Sequence, residues 1–250
     1  MQLTILGSAA SYPDAGRACA GHLVGSGDTA VLLDCGNGVL SNLGRVLEPT
    51  ALSAVFITHA HIDHFADVYA LEAALRYAPA GPLPPLPLYL PEGLFALMSA
   101  ALTEHGAREL AEAFEVRELV SGEAVHVGGL TVTPRPVDHV GLTLAFVVDD
   151  GDARLCYTSD TRSGDAVQAA ASGASVLLAD ATLPQEFAGR APHMTPGEAA
   201  ALAEECGAHT VVLTHLWPTV DRALARADAA AVFSGRVIVA DEMDSLDIEQ

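Results

Sequence analysis

The chain has 250 residues, a length that predicts one domain whose core needs no disulfide or metal for folding. It contains 32 acidic residues against 12 basic ones, and every basic residue is an arginine. The absence of lysine excludes a P-loop, a pyridoxal Schiff base and a serine–lysine dyad, and the net charge of −20 argues against a broad nucleic-acid surface. No apolar run approaches the ~20 residues that span a bilayer. Since Met1–Leu6 also lacks a signal-peptide pattern, we expect a cytoplasmic protein without membrane contact.

Apolar runs predict strands, and apolar residues at helical spacing predict the helices between them. In the first half, the predicted elements are strands Gln2–Leu6, His22–Val24, Ala30–Asp34 and Ala54–Thr58, helix Phe65–Tyr77, strand Leu88–Leu90, and helices Glu92–Glu104 and Arg108–Phe114. In the second half, they are strands Ala124–Val127, Leu130–Pro134, Thr143–Val148 and Arg154–Thr158, helix Ser163–Ala171, strand Ser175–Ala179, a helix from Thr195 through Cys206, strand Thr210–Thr214, helix Val220–Ala231 and strand Arg236–Ala240. This order predicts an α/β fold with two packed sheets covered by helices, a four-layer αββα sandwich.

Three further features complete the organisation of a single domain over residues 1–250. The proline-rich segment Pro79–Pro87 predicts an extended loop, because each proline removes a backbone donor. The acidic tail Asp241–Gln250 contains few apolar residues, and we expect it to fray. The four cysteines form no C-x-x-C pair, so we expect reduced, partly buried thiols.

The decisive motif is the segment Thr58–His64, which places three histidines and one aspartate directly after an apolar strand. Histidine is the commonest neutral-nitrogen metal ligand, and aspartate supplies a hard oxygen ligand. In an extended backbone His59 and His61 project to the same side and can bind one ion. Asp63 and His64 begin the next helix and point to a neighbouring position. One loop therefore predicts the start of two metal sites.

Further candidate ligands follow later strands. His139 follows Val137–Asp138, Asp160 ends the run Leu155–Asp160, and His215 ends the run Val211–His215. Residues at strand ends, on loops held by a rigid scaffold, are typical positions for functional groups. Together with the histidine-rich loop, these three residues complete two metal sites.

With these motifs, the chain resembles the metallo-β-lactamase-fold hydrolases, and among them the branch of tRNA 3′-processing endonucleases (RNase Z) and class II-type cyclic-nucleotide phosphodiesterases. The resemblance covers nearly the whole chain. It rests on Leu3–Ser8, the turn Pro13–Arg17, Leu33–Gly38, His59–His64, His139, Ser159–Thr161, Asp180–Thr182, His193–Thr195 and Thr214–His215.

This resemblance implies a ligand set and a cofactor. His59, His61 and His139 would hold one divalent ion, Asp63, His64 and His215 would hold a second, and Asp160 would bridge them. The histidine-rich set favours zinc, although mixed nitrogen and carboxylate ligation also admits manganese or iron. Asp34 would either orient a ligand histidine or cap its turn.

The reaction implied is attack of a metal-bridging hydroxide on phosphorus. Asp63 and His193 are the predicted catalytic residues. His193 is the candidate general acid for the leaving alkoxide, because a histidine can deliver a proton near neutral pH. Its alternative role is that of a helix-entry residue beside Thr195.

The chain is therefore predicted to be a metal-dependent hydrolase of the phosphodiesterase type. Its predicted substrate is a small phosphodiester such as 3′,5′-cyclic AMP or GMP. The stretch from His139 to His193 contains no basic insertion that would serve as a tRNA-binding arm. We therefore expect no extended nucleic-acid surface, and the resemblance suggests a homodimer. Three alternatives stay open: an RNase Z-like endonuclease acting on RNA 3′ ends, a hydrolase of carbon esters, thioesters or lactams, and a non-catalytic protein with structural metals.

The remaining residues of interest receive ordinary structural interpretations. The other histidines are expected to be exposed or singly hydrogen-bonded: His22, His105, His126 and His209. A surface ion pair is the expected role of Arg162, although it could reach a substrate phosphate. Trp217 and Tyr157 lie close in sequence to predicted ligands, and either could stack on a base, with core packing favoured for Tyr157.

Overall fold

Two seven-stranded sheets pack face to face in the computed structural model, which describes residues 1–79 and 83–249. The elements of the first half are β1 (Gln2–Gly7), β2 (Gly21–Ser26), β3 (Thr29–Leu33), α1 (Val39–Leu43), β4 (Ala54–Phe56), α2 (Val68–Arg76), β5 (Leu86–Leu90), α3 (Leu94–Ala100), α4 (Glu104–Ala113) and β6 (Phe114–Glu118). Those of the second half are β7 (Val125–Val127), β8 (Leu130–Pro136), β9 (Leu144–Asp149), β10 (Arg154–Tyr157), α5 (Asp165–Ala171), β11 (Val176–Asp180), α6 (Pro196–Cys206), β12 (Thr210–Thr214), α7 (Arg222–Ala230), β13 (Arg236–Val239) and β14 (Ser245–Asp247).

The two sheets have similar topology. The first has the strand order β14-β1-β2-β3-β4-β5-β6, and the second has the order β13-β12-β11-β10-β9-β8-β7. In each sheet one end is antiparallel and four neighbouring strands are parallel: β3 to β6 in the first and β10 to β13 in the second. Because parallel strands end at the same edge, the loops that follow them converge there.

Three apolar layers hold the fold together. The inner layer, between the sheets, includes Leu33 and Phe56 from the first sheet and Phe146 and Leu178 from the second. The first sheet packs on its other face against α1 to α4, and the second packs against α5 to α7. The predicted four-layer αββα sandwich is thus confirmed. No helix in the described ranges combines the length and apolarity needed to cross a bilayer.

The structure corrects the prediction for the region between residues 92 and 118. The predicted helix Glu92–Glu104 is shorter, since α3 ends at Ala100 and α4 begins at Glu104, after an N-cap in which Thr103 accepts a hydrogen bond from the Gly106 N–H. Phe114, predicted to end a helix, begins β6, which pairs in parallel with β5. Apolar spacing does not separate a helix end from a strand start when the two are contiguous.

Two further predictions are wrong in part. The proline-rich segment does not stay a loop to its end, because Leu86 and Pro87 open β5; residues 80–82 lie outside the described residues. The acidic tail does not fray over residues 241–249. Its residues Ser245–Asp247 pair antiparallel with β1, and Ile248 is buried between the sheets. A sheet edge thus orders a segment whose composition alone predicts disorder.

Candidate metal centre

The candidate ligands meet where the parallel strands of both sheets end. In the first sheet, Asp34 follows β3, and the loop carrying His59 and His61 follows β4. In the second, Asp160 follows β10 and His215 follows β12. The two sheets therefore bring one shared group of side chains to the same edge of the sandwich.

The first group of ligand atoms comes from His59, His61, His139 and Asp160. Nδ1 of His61 lies 2.9 Å from Nε2 of His59 and 3.2 Å from Nε2 of His139. Asp160 Oδ2 lies 3.6 Å from each of those Nε2 atoms. The Nδ1 atoms of His59 and His139 instead contact Thr58 Oγ1 and the Pro192 carbonyl. These outer contacts fix the rings so that one nitrogen of each faces the cluster.

The second group contains Asp63, His64 and His215. His64 Nε2 lies 3.3 Å from His215 Nε2 and 3.4 Å from Asp160 Oδ1, while His215 Nε2 lies 3.4 Å from Asp63 Oδ2. The two carboxylate oxygens of Asp160 therefore face different groups, Oδ2 toward the first and Oδ1 toward the second. The seven candidate ligands therefore lie together, and a third, overlapping group joins Asp160 and His215 to Asp180 and His193.

The donor set fits divalent cations. Among the described residues, Asp160 Oδ1 is buried and accepts no hydrogen bond. Buried carboxylates need a compensating positive charge, yet no arginine contacts the carboxylates of Asp34, Asp63 or Asp160 in residues 1–79 and 83–249. Burial lowers the pKa of His59 well below its usual value, whereas the carboxylates of Asp160 and Asp34 raise the pKa of His64 against the effect of burial.

Asp34 connects the end of β3 to a candidate ligand. Its carboxylate accepts hydrogen bonds from His64 Nδ1 at 2.7 Å, from Tyr157 Oη at 2.8 Å, and from both the backbone N–H and the hydroxyl of Thr58 at 2.8 and 3.0 Å. Asp34, His64 and Tyr157 are almost fully buried. Asp34 therefore holds the His64 ring while it also ties two strand ends together.

The backbone at this edge is held in an uncommon conformation. Within the described ranges, five residues other than glycine have positive φ, and four of them lie at the centre: Ser11, Asp34, Ser159 and His215, with φ of 64°, 59°, 57° and 53°. Side chains other than glycine rarely adopt this left-handed region, and such residues cluster at functional sites. At Asp34 and His215 this conformation occurs immediately after a strand, where the side chain turns toward the cluster.

His193 lies beside both groups and is paired with Asp180, a residue to which the sequence analysis assigned no role. Its Nδ1 contacts Asp180 Oδ2 at 2.8 Å, and its ring lies 4.8 Å from His139 and 5.6 Å from His215, centroid to centroid. Burial alone lowers the pKa of His193, but the hydrogen bond and charge of Asp180 raise it overall. Asp180 is fully buried at the end of β11, so its strand-end position was the available signal.

The other histidines follow the prediction with one exception. His105, His126 and His209 are exposed. His22 is fully buried in β2, packed edge-on against Tyr157 at 4.9 Å, and neither ring nitrogen has a hydrogen-bond partner among the described residues. Burial lowers its pKa to about 3, so His22 stays neutral. The prediction for His22 is therefore wrong, because its alternation in β2 turns it toward the inner core.

The remaining candidates separate clearly. Tyr157 is buried between the sheets, as core packing predicts, and donates to Asp34. Arg162 is exposed, but it makes no ion pair within the described part of the chain, so that prediction is wrong. Trp217 is 38% exposed and lies two residues after His215.

The family of the chain is shown by a match to a family model over a range that contains the candidate ligands. A family model described as "Beta-lactamase superfamily domain" matches residues 29–216. The chain belongs to this superfamily. It is a metallo-β-lactamase-fold hydrolase whose histidine and aspartate cluster is able to hold metal.

Relatives of this hydrolase carry different names. An uncharacterized protein of Mycobacterium leprae is 31% identical over 255 residues, which cover 100% of this chain and 89% of the relative. A protein named Ribonuclease Z from Mycobacterium bovis is also 31% identical, over 278 residues that cover 99% of this chain and 98% of the relative. Among solved structures, the metallo-β-lactamase-fold protein YhfI of Bacillus subtilis has a TM-score of 0.88 at 27% identity and 98% coverage of both chains.

Proposed function

We propose that this hydrolase cleaves a small phosphodiester, such as 3′,5′-cyclic AMP or GMP, with two divalent ions, favoured to be zinc. His59, His61 and His139 would hold one ion, and Asp63, His64 and His215 would hold the other, with Asp160 available to both. When bound, the two ions supply a water activated for attack on phosphorus and neutralise charge on the phosphoryl oxygens. Manganese or iron would serve the same donor set.

The observation that carries the proposal is the pair formed by His193 and Asp180 beside the cluster. Cleavage of an alkyl phosphodiester expels an alkoxide, a poor leaving group that needs a proton. Asp180 accepts a hydrogen bond from Nδ1 of His193, which leaves Nε2 to donate that proton. Asp180 is itself fixed by the Thr161 N–H at 3.0 Å and by Thr182 Oγ1 at 2.6 Å, so the acid is held in one orientation.

Charge supports a small substrate. Arg76, Arg108 and Arg117, three of the four arginines between His64 and His139, are paired with glutamates. Between His139 and His193 the chain forms β9, β10, α5 and β11 in the second sheet and its helical layer. A tRNA substrate would need many cations for its phosphates. The chain as a whole has a net charge of −20, and the segment between His139 and His193 contains no basic insertion.

RNA 3′ processing is the second candidate function. It is favoured by the relative named Ribonuclease Z, which aligns over nearly the full length of both chains. The same cluster and the same acid would serve this reaction, since RNA cleavage also expels a sugar alkoxide. Only the substrate differs between the two candidates.

The test compares three substrates with the zinc- or manganese-loaded protein: 3′,5′-cyclic AMP, bis(p-nitrophenyl) phosphate and a precursor tRNA with a 3′ trailer. We expect turnover of the cyclic nucleotide that is lost in Asp63→Ala and retained in His126→Ala, a matched exposed histidine on β7. Cleavage of the tRNA without cyclic-nucleotide turnover would favour the RNA-processing candidate. Metal binding without hydrolysis of any diester would contradict both.

A further inference from the structure

Two exposed aromatic residues, Tyr12 and Trp217, follow backbone segments that contact or adjoin the second ligand group. Tyr12 is 50% exposed and Trp217 is 38% exposed. Large aromatic rings usually bury most of their surface, and exposed apolar side chains that gather beside a functional site mark a binding surface. Neither the Tyr12 hydroxyl nor the Trp217 indole N–H forms a hydrogen bond to another described residue. Packing therefore leaves a large part of each residue uncovered, and neither polar group is paired with the described chain.

The backbone places the two aromatic residues on neighbouring segments. Ala10 N–H donates to the Leu216 carbonyl at 3.0 Å, and Leu216 N–H donates to the Ser8 carbonyl at 2.8 Å, so the segment after β1 runs beside the segment after β12. Tyr12 lies two residues beyond Ala10, and Trp217 lies directly after Leu216. The two rings therefore extend from neighbouring backbone segments.

The same segments are anchored to the candidate ligands. The backbone N–H of Ser11 donates to Asp63 Oδ2 at 2.7 Å, and Leu216 directly follows His215. Val220 N–H closes a turn onto the Trp217 carbonyl at 2.8 Å. Tyr12 thus directly follows Ser11, whose N–H is bonded to Asp63, and Trp217 directly follows Leu216, which is bonded to Ser8 and Ala10. Both residues are therefore close in sequence to the part of the chain that carries Asp63 or His215 contacts, within reach of a substrate larger than its phosphate.

The chemistry of the rings indicates what they bind. A neutral aromatic face attracts a planar base by stacking and needs no cation, which suits a chain with a net charge of −20. Resting on the proposed phosphodiesterase function, we propose that Tyr12 and Trp217 form the base-binding surface of the site, on which the nucleobase of the substrate stacks. They are specificity residues, distinct from the ligands and from His193.

The first test uses the fluorescence of Trp217, which is the single tryptophan of the sequence. The zinc-loaded protein is titrated with 5′-AMP and, separately, with ribose 5-phosphate, which has the same phosphate but no base. We expect saturable quenching by 5′-AMP beyond that of free N-acetyltryptophanamide, and none by ribose 5-phosphate. In Tyr12→Ala the 5′-AMP affinity should fall about tenfold, the scale of one stacking contact. Equal quenching by both ligands, or none by 5′-AMP, would overturn the proposal.

The second test is kinetic and separates this proposal from the reaction itself. For 3′,5′-cyclic AMP, KM should rise about tenfold in Trp217→Ala with kcat nearly unchanged, and Trp217→Phe should restore KM. Tyr77→Ala, at an exposed tyrosine on the α2 side of the first sheet, is the matched control and should leave KM unchanged.

The two proposals fail in different ways. Hydrolysis of cyclic AMP with an unchanged KM in Trp217→Ala would keep the phosphodiesterase function and reject the base-binding surface. If cyclic AMP is not hydrolysed but 5′-AMP still quenches the fluorescence base-specifically, the base-binding surface is kept and the phosphodiesterase function is rejected. A wild-type dimer that dissociates in Trp217→Ala, without quenching by 5′-AMP, would assign the rings to a protein interface and overturn the proposal.

Discussion

At the scale of single residues, the centre depends on buried carboxylates that orient histidines. Asp34 accepts four hydrogen bonds, and one of them comes from His64. Asp180 does the same for His193. Outer contacts of this kind set which ring nitrogen is presented and raise the basicity of a ligand. Removing their charge should therefore weaken the site without removing a single proposed ligand.

Asp34→Asn tests this role of the carboxylate. The amide keeps the size of the side chain but replaces one acceptor oxygen with an NH₂ group, which faces the donors of Thr58, His64 and Tyr157. Either the His64 ring or another of these donors therefore loses its acceptor. We expect a loss of about 10- to 100-fold in zinc affinity, measured by competition with a chromogenic chelator. Asp28→Asn, at an exposed aspartate in the β2–β3 turn, is the control. Unchanged zinc affinity in Asp34→Asn would contradict the orienting role.

The proposed acid makes a prediction about leaving groups. p-Nitrophenolate leaves without a proton, whereas the alkoxide of a cyclic nucleotide needs one. In His193→Gln, kcat/KM for 3′,5′-cyclic AMP should fall by about 10²- to 10⁴-fold, and that for bis(p-nitrophenyl) phosphate by far less. Asp180→Asn should shift the ratio of the two values in the same direction. An equal loss for both substrates would assign His193 to structure rather than to proton delivery.

At this scale, residues that are close together in the sequence could be predicted, whereas contacts between distant residues could not. The candidate ligands between His59 and His64 are predictable because they share one short segment, and His215 because it ends an apolar strand. The partnership of Asp34 with Tyr157 joins the two sheets, and that of Asp180 with His193 joins β11 to the loop before α6; the motif specifies neither contact. The burial of His22 was missed for the same reason: its neighbour Tyr157 belongs to the opposite sheet.

At the scale of elements, local signals were reliable where the chain makes its own contacts. The helix α6 begins as predicted, with Thr195 and Glu198 forming a reciprocal capping box and Pro196 in the first turn. The strands β6 and β14 were missed, because β6 is an edge strand with several charged residues and β14 lies in an acidic tail. Their order comes from pairing with β5 and β1, which no local pattern reveals.

The tail contributes more than a strand. Glu242, just before β14, is nearly buried, and its Oε1 accepts hydrogen bonds from the Ser8 N–H and hydroxyl at 3.0 Å each and from the Ala18 N–H at 3.2 Å. These contacts hold both ends of the loop 8–18, which includes Tyr12 and contacts Asp63 through Ser11. The C-terminal segment therefore supports the wall of the candidate site.

Glu242→Ala should leave these donors without their acceptor. We expect the free energy of unfolding to fall by about 1–3 kcal/mol, measured by urea denaturation. Hydrogen exchange should speed up in residues 8–18 more than in β11 or β12. Glu249→Ala, at an exposed glutamate of the same tail, should change neither. Uniform acceleration across both sheets would indicate a general loss of stability instead of a local release of the loop.

At the scale of the whole molecule, the charge of −20 acts on any anionic substrate. Far from the site a negative phosphodiester is repelled, and salt screens this repulsion over a Debye length of about 10 Å at 0.1 M. We therefore expect kcat/KM for cyclic AMP to rise with added salt. A substrate bound through many phosphate contacts would show the opposite trend, since counterion release weakens such binding as salt increases. A fall in kcat/KM with salt would thus favour the RNA-processing candidate.

Whole-molecule properties were predicted to different depths. The αββα layers were accessible from the order of elements, because it is encoded in periodicity. The hydrolase family was accessible only through the resemblance that the histidine motif and the other quoted segments carry. The homodimer, the single domain over 1–250 and the cytoplasmic location stay predictions. They depend on surfaces and surroundings that strand patterns do not encode.

The pairing of β14 with β1 has a consequence for biosynthesis. The strand β1 lies between β2 and β14, so its outer edge stays open until about 240 further residues have been translated. Until then Glu242 is also absent from the loop 8–18. The ribosome-bound chain can build most of both sheets, but its metal-binding edge acquires a complete wall only when the C-terminal segment leaves the exit tunnel. Hydrolytic competence should therefore appear late and abruptly during translation.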